Sequence, residues 1–206
     1  MVIKMILTVV IGYLLGSIST GVVLSRLVSG KDIRAEGSGN IGTTNMLRVM
    51  GRKMALFTFI GDMLKGIVAV LIGKLLVGGV LGGVLGVAGA LFGHIYPVFF
   101  GFKGGKGIAT GFGSLLFVFP LQALAAFTLF LILTYLTHYV SVGSIAAALA
   151  LPTFVMLTRF DQPLLWCITF ACGLFVVWNH RGNIKRLLNH SERKLDFNTL
   201  KKKKKD

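Results

Sequence analysis

Long apolar stretches alternate along the chain with short, polar, glycine-rich islands, and the apolar stretches set the expected elements. Runs over 4–25, 54–77 and 79–100 are each long enough for a membrane-crossing helix, which needs about 20 residues. Residues 108–136 form a run too long for one span and too short for two full ones. Pro120 within it predicts two short helices hinged near Phe119-Pro120. Runs over 141–158 and 163–179, parted by Thr158-Arg159-Phe160-Asp161-Gln162-Pro163, bring the expected helices to seven. Glycines at 78, 79, 82, 83, 86, 89 and 93 predict close packing of the third span.

Composition narrows the class. The 206 residues are 54% hydrophobic and only 14% charged, with mean hydropathy +0.80. That leaves too little polar surface for a water-soluble domain, so an all-α integral membrane protein is expected. The first run follows a single Lys and ends without a small-residue cleavage site, which favours a retained helix over a signal peptide. Cys167 and Cys172 do not share a helix face and have no metal-ligand spacing, so they read as packing residues.

The net charge of +15 sits in loops and tail. Six Lys and Arg lie between 26 and 53, two between 101 and 107, and ten after 180. Seven spans place all three groups on one side, which the positive-inside rule makes cytoplasmic, with the N-terminus outside and the C-terminus inside. Six or eight spans would strand basic residues outside. With no basic helix and no aromatic stacking platform, nucleic acid is a poor partner, whereas membrane lipids and anionic substrates are good ones. Residues 1–200 read as one membrane domain, followed by a basic tail over 201–206 that carries Lys201–Lys205.

Three islands carry the candidate chemistry. In Gly37-Ser38-Gly39-Asn40-Ile41-Gly42-Thr43-Thr44-Asn45, hydroxyls and amides surround glycines, and Arg48 follows one turn later. A helix beginning at Thr43 or Thr44 would aim free N–H groups at an anion there; the alternative is a flexible interhelical loop. The second island, Phe102-Lys103-Gly104-Gly105-Lys106-Gly107, lacks Walker A spacing. Its Lys106 can reach inward to a phosphate, while Lys103 can simply anchor at headgroups. The third follows Trp178, an interface residue, and comprises Asn179, His180, Arg181, Gly182 and Asn183. Ser141 and Ser144 open the sixth span on the same side. Asp62 and Lys65, three residues apart inside the second span, read as a bundle-holding ion pair or as substrate contacts, and His94 is equally open.

Together these residues resemble the bacterial acyl-phosphate:glycerol-3-phosphate acyltransferases of the PlsY type. The likeness rests on Gly37 to Asn45 with Arg48, on Gly93-His94 through Pro97, and on Phe102 to Gly107. Ser141, Ser144, His180, Asn183 and Ile184-Lys185-Arg186-Leu187-Leu188 extend it over residues 12–192. The chain departs from the pattern at Asn189-His190-Ser191-Glu192, where a Gly is expected before the Glu.

The resemblance implies a seven-helix enzyme of the bacterial cytoplasmic membrane, with its active site on the cytoplasmic side. It would transfer an acyl group from acyl phosphate to glycerol 3-phosphate, giving 1-acylglycerol 3-phosphate (lysophosphatidic acid) and phosphate for phospholipid synthesis. Catalytic roles fall to Ser38, Lys106, His180 and Asn183. Substrate or phosphate contacts fall to Gly39, Asn40, Thr43, Thr44, Asn45, Arg48, Lys103, Gly104, Gly105, Ser141 and Ser144.

Read from the residues alone, the His-x-x-x-x-Asp dyad of thioester-using acyltransferases is missing. The positions five after His94, His138, His180 and His190 hold Phe99, Gly143, Lys185 and Leu195. No carboxylate or His cluster has metal-ligand spacing, and no cofactor is expected. Acyl phosphate is already activated, so direct transfer without an acyl-enzyme is expected, the proton passing to His180 or to the departing phosphate. A transporter of phosphorylated molecules is the rival, but polar islands confined to one side fit it poorly.

Overall fold

The computed structural model describes residues 1–196; the Lys201–Lys205 run lies outside them. Among the described residues there are nine α-helices and no strands: α1 (Val2–Gly16), α2 (Thr20–Ser29), α3 (Thr43–Leu76), α4 (Gly79–Ile95), α5 (Ile108–Leu116), α6 (Pro120–Thr137), α7 (Val140–Thr158), α8 (Pro163–Asn179) and α9 (Arg181–Leu188). Short 3-10 turns occupy Ile33–Ala35 and Val98–Phe100.

Five stretches are long and apolar enough to cross a bilayer: α1 with α2, α3, α4 with the turn after it, α6 and α7. The pair α8 and α9, bent by 53°, makes a sixth. The hinge at Pro120 is where the apolar pattern predicts it, with Pro120 in the first turn of α6. The helix before it, α5, has only nine residues. At 1.5 Å per residue it covers about half of the roughly 30 Å hydrocarbon core. The expected fourth helix is therefore present but too short to cross alone.

One element differs from the apolar pattern for polar reasons. The first run is not one helix but α1 and α2, parted at Ser17-Ile18-Ser19. Ser17 Oγ donates to Tyr13 O at 2.8 Å and accepts from Val98 N at 3.3 Å, while Lys65 Nζ donates to Ile18 O at 2.7 Å. These partners replace the helical bonds lost at the break. The second run begins close to where the apolar pattern puts it: α3 comprises two helical pieces joined across Gly51, whose φ 82° and ψ −173° are not helical, one piece starting at Thr43 and the other opening just after Gly51. The first part of α3 thus carries Thr43, Thr44, Asn45 and Arg48.

Glycines bring the backbones together behind these elements. A Cβ on Gly16 would meet the backbone of Ala90, and one on Gly93 would meet the carbonyl of Tyr13, so α1 and α4 touch main chain to main chain. Gly73 of α3 and Gly82 of α4 exclude side chains from each other in the same way. Close packing is therefore what the glycine stripe provides. A second apolar cluster, with Val22, Ile33, Ile41, Met46 and Ala55 buried, clamps the 30–42 loop onto α2 and the start of α3.

Candidate active site

A cavity of about 410 Å³ opens where α3 begins, between the 106–112 segment, the start of α7, and the α8–α9 junction. All three polar islands contribute to its wall. From the first come Ser38, Asn40, Thr43, Thr44, Asn45 and Arg48; from the second, Lys106; from the third, His180 and Asn183; Ser141 and Ser144 complete it.

Within the first island, Asn45 is buried and its side chain is fully engaged in shaping the loop. Its Nδ2 donates to Asn40 O (2.8 Å), Glu36 O (3.1 Å) and Ile33 O (3.3 Å), and its Oδ1 accepts from Ser38 N at 2.7 Å. Asn45 is therefore an organiser whose amide is already used. Gly37 has φ 63° and lies against the Asn45 amide, so a side chain there would be both strained and blocked. Asn40 Oδ1 accepts from Gly42 N at 2.8 Å, setting the entry to α3. Arg34 pairs with Asp32 at 2.8 Å and donates to Phe100 O at 2.7 Å, tying the loop to the turn after α4. Hydrogen bonding from Arg34 holds the Asp32 carboxyl well below the usual carboxylate range.

Other donors in the wall are uncommitted. The Ser38 side chain is exposed to the cavity, and Thr43 Oγ1 is buried with no hydrogen-bond partner among the described residues. Thr43 and Thr44 begin α3, where backbone N–H groups lack helical acceptors. Arg48 makes only a long contact to Arg193 O, at 3.5 Å. Lys106 is half-buried, and neither cation forms an ion pair among the described residues. Burial lowers the Lys106 pKa to about 8; Glu192 opposes the shift, while Arg186 and Arg48 add to it.

Not every expected residue faces the cavity. Lys103 and Gly39 are exposed and lie outside its wall, as do the partly buried Gly104 and the buried Gly105. Gly104 and Gly105 instead pack against the end of α4: a Cβ on Gly104 would meet the carbonyls of His94 and Ile95, and one on Gly105 would meet the His94 ring. Lys103 therefore suits headgroup anchoring, and the two glycines act by letting the loop lie close.

His180 is buried, with Nδ1 2.8 Å from Val176 O. A carbonyl only accepts, so Nδ1 carries the proton and Nε2 of the neutral ring keeps a free lone pair. Ser144 Oγ donates to Val140 O at 2.8 Å, within its own helix.

Glu192 is the residue whose role the sequence left open. Its Oε1 accepts from Asn183 Nδ2 (2.6 Å) and Ser141 Oγ (2.9 Å), and its Oε2 from Arg186 Nε (2.7 Å). Desolvation alone would raise its pKa, but these donors outweigh it and hold the carboxyl below its ordinary value. In the stretch before Glu192, His190 has a positive φ (52°), the backbone region that favours glycine. One signal was legible: an acidic residue just past a basic helix end. Asp62 and His94 also line the cavity, on its inner side.

Beyond the polar wall, a smaller apolar cavity of about 80 Å³ continues between α4, α5, α6, α7 and α8. It shares Gly107, Ile108, Phe112, Phe127 and Phe130 with the polar cavity.

Fold and cavity define an all-helical integral membrane protein whose polar site is set against an apolar recess. The sequence profile described as glycerol-3-phosphate acyltransferase matches residues 6–190. The glycerol-3-phosphate acyltransferase of Syntrophotalea carbinolica is 49% identical over 187 residues, covering 87% of this chain and 92% of that relative. The one from Clostridioides difficile is 42% identical over 195 residues, covering 92% and 95%. The crystal structure of PlsY (YgiH), an integral membrane glycerol 3-phosphate acyltransferase, in its glycerol 3-phosphate form superposes with TM-score 0.87 at 36% identity, covering 97% of this chain and 99% of that one. Its lysophosphatidic acid form gives 0.82 at 36% identity, covering 93% and 95%. The chain belongs to the glycerol-3-phosphate acyltransferase family, and glycerol-3-phosphate acyl transfer is its class of activity.

Proposed function

We propose that this chain transfers a fatty acyl group from acyl phosphate to glycerol 3-phosphate, at the cytoplasmic face of a bacterial inner membrane. The carrying observation is one cavity that combines Arg48 and Lys106, neither ion-paired among the described residues, with the N–H groups of Thr43 and Thr44 and the Thr43 hydroxyl, and that continues into an apolar recess. Such a site suits phosphate groups at one end and an acyl chain at the other. The glycerol 3-phosphate and lysophosphatidic acid forms of PlsY are consistent with both ends being used.

In this reading a hydroxyl oxygen of glycerol 3-phosphate attacks the acyl carbonyl. The new ester C–O bond forms, and the carbonyl carbon–phosphate oxygen bond breaks, its electron pair leaving with phosphate. Arg48 and Lys106 neutralise the phosphates, and Ser38 with the N–H groups at the start of α3 stabilises charge developing on the carbonyl oxygen. The hydroxyl proton goes to the departing phosphate. His180 Nε2 is the alternative acceptor, and Asn183, fixed by Glu192, helps orient the substrate. No acyl-enzyme intervenes.

The test is purified protein in detergent with acyl phosphate and glycerol 3-phosphate, following phosphate release and lysophosphatidic acid together. Both should appear in equal amounts, and intact mass after acyl phosphate alone should show no acyl adduct. Robust turnover with acyl-CoA alone would overturn the donor assignment. Uptake of substrate into proteoliposomes without product would favour a transporter.

A further inference from the structure

The charged residues inside the membrane do more than pair. Lys65 Nζ contacts Asp62 Oδ1 at 2.9 Å and donates to Ile18 O, the carbonyl in the α1–α2 break, at 2.7 Å. Asp62 Oδ1 lies 3.7 Å from His94 Nδ1, which shares a 3.2 Å hydrogen bond with Thr110 Oγ1. A chain of polar groups thus runs from the α1–α2 break through α3 and the end of α4 to the start of α5. Its last two members bracket the Gly101–Gly107 loop: His94 precedes it and Thr110 follows it.

The middle of that loop rests on the same histidine. Gly105 N donates to His94 O at 3.0 Å, and Gly105 O accepts from Asn179 Nδ2 at 2.7 Å. The three atoms nearest a Cβ at Gly105 all belong to the His94 ring. Gly105 has no positive φ, so glycine is required there by space rather than by conformation. Gly104 differs, because its obstacles are the main-chain carbonyls of His94 and Ile95. The next residue, Lys106, enters the cavity.

We propose that Asp62, Lys65 and His94 are positioning residues: a buried polar strut whose His94 ring sets the height of the Gly104–Lys106 loop, and through it the reach of the Lys106 ammonium toward glycerol 3-phosphate. The inference rests on the reading of Lys106 as a phosphate contact. Small displacements of a binding group are costly; about 1 Å can cost on the order of a hundredfold. Lys65 Nζ and Thr110 Oγ1 hold the two ends of the strut, while Asp62 Oδ1 meets its neighbours through charge alone, with no hydrogen bond among the described residues; the low-dielectric bundle strengthens that attraction.

A double-mutant cycle in the purified, full-length enzyme tests it. Gly105→Ala should raise the KM for glycerol 3-phosphate at least about tenfold with a much smaller change in kcat, and adding His94→Ala should recover most of that loss. Gly104→Ala should be impaired too, yet His94→Ala should not rescue it. His94→Ala alone should raise KM and move the alkaline limb of kcat/KM upward from about pH 8 as Lys106 becomes better solvated, the facing Glu192, Arg186, Arg48 and His180 being unchanged.

Additive effects of His94→Ala and Gly105→Ala, or a wild-type KM in Gly105→Ala, would overturn the strut. If Gly105→Ala does not survive purification, His94→Ala decides: unchanged KM and an unmoved alkaline limb overturn it. Lys106→Met separates the two ideas. A wild-type glycerol 3-phosphate KM in that variant removes the Lys106 reading itself, whereas an impaired Lys106→Met alongside an additive cycle overturns the strut alone.

Discussion

Lys106 and Arg48 are both cations at the cavity and burial lowers the pKa of each, but only the ammonium, less basic to begin with, is brought near working pH. Lys106 has its pKa lowered to about 8. The protonated ammonium binds phosphate, so kcat/KM for glycerol 3-phosphate should fall as pH rises through about 8. Bound phosphate favours the charged form, so kcat should hold to higher pH than kcat/KM. A pH profile of both parameters checks this; Lys106→Arg should remove the alkaline limb, since guanidinium stays charged. Arg48→Ala should lose at least about tenfold in kcat/KM, the scale of a phosphate partner removed from a desolvated site. Arg48→Lys should also be impaired, because a point charge cannot reproduce a forked contact; wild-type kinetics in Arg48→Ala would remove it from the site. Asn45→Ala strips four hydrogen bonds from the first island. Leaving a buried polar group unpaired costs about 1–3 kcal/mol. The melting temperature should drop by several degrees, and Ser38-dependent turnover with it; an unchanged melting temperature would show that the loop is shaped elsewhere.

At the scale of elements, the helix ends near Thr43 and Pro120 were legible because their causes are local: a run of hydroxyl and amide residues opening one helix, and a proline in the first turn of another. The break at Ser17–Ser19 was not. Its stabilising donor, Lys65, lies 47 positions away, and nothing in the local apolar pattern marks it. Glu192 was obscured for the same reason, since Ser141 is 51 positions distant. Lys103, Gly104 and Gly105 entered as contacts through the family resemblance alone, whereas here they lie outside the cavity wall, where Lys103 suits the headgroup anchoring its own position suggests. The α1–α4 contact gives a prediction that needs no substrate. Gly93→Leu would force the helices apart at the Tyr13 carbonyl. Overpacking of this kind typically costs about 1–3 kcal/mol. Thermal unfolding in detergent should show the loss, and Gly182→Ala, whose Cβ would meet only the end of the Arg186 side chain, should not.

For the whole molecule, the class was readable from apolar content alone. The seven-segment arrangement with the N-terminus outside remains a proposal with a direct test. Single cysteines placed in the 31–36 loop and just after residue 190 should react with an impermeant thiol reagent only once the cytoplasmic face is opened. Labelling of either from outside intact cells would reverse the arrangement.

The main-chain contact between α1 and α4 has a mechanical consequence. Glycine against backbone leaves no side chains to change rotamer, so that half of the bundle behaves as a fixed back plate. The opposite side of the cavity is closed differently: Glu192 reaches Ser141 and Asn183, and Leu195 N donates to His138 O at 2.7 Å. Those are a few polar latches on an irregular segment, and water can replace each of them. In the proposed reaction the product carries a single acyl chain, and the Glu192 latches are a part of the cavity wall held by side chains rather than by packed main chain.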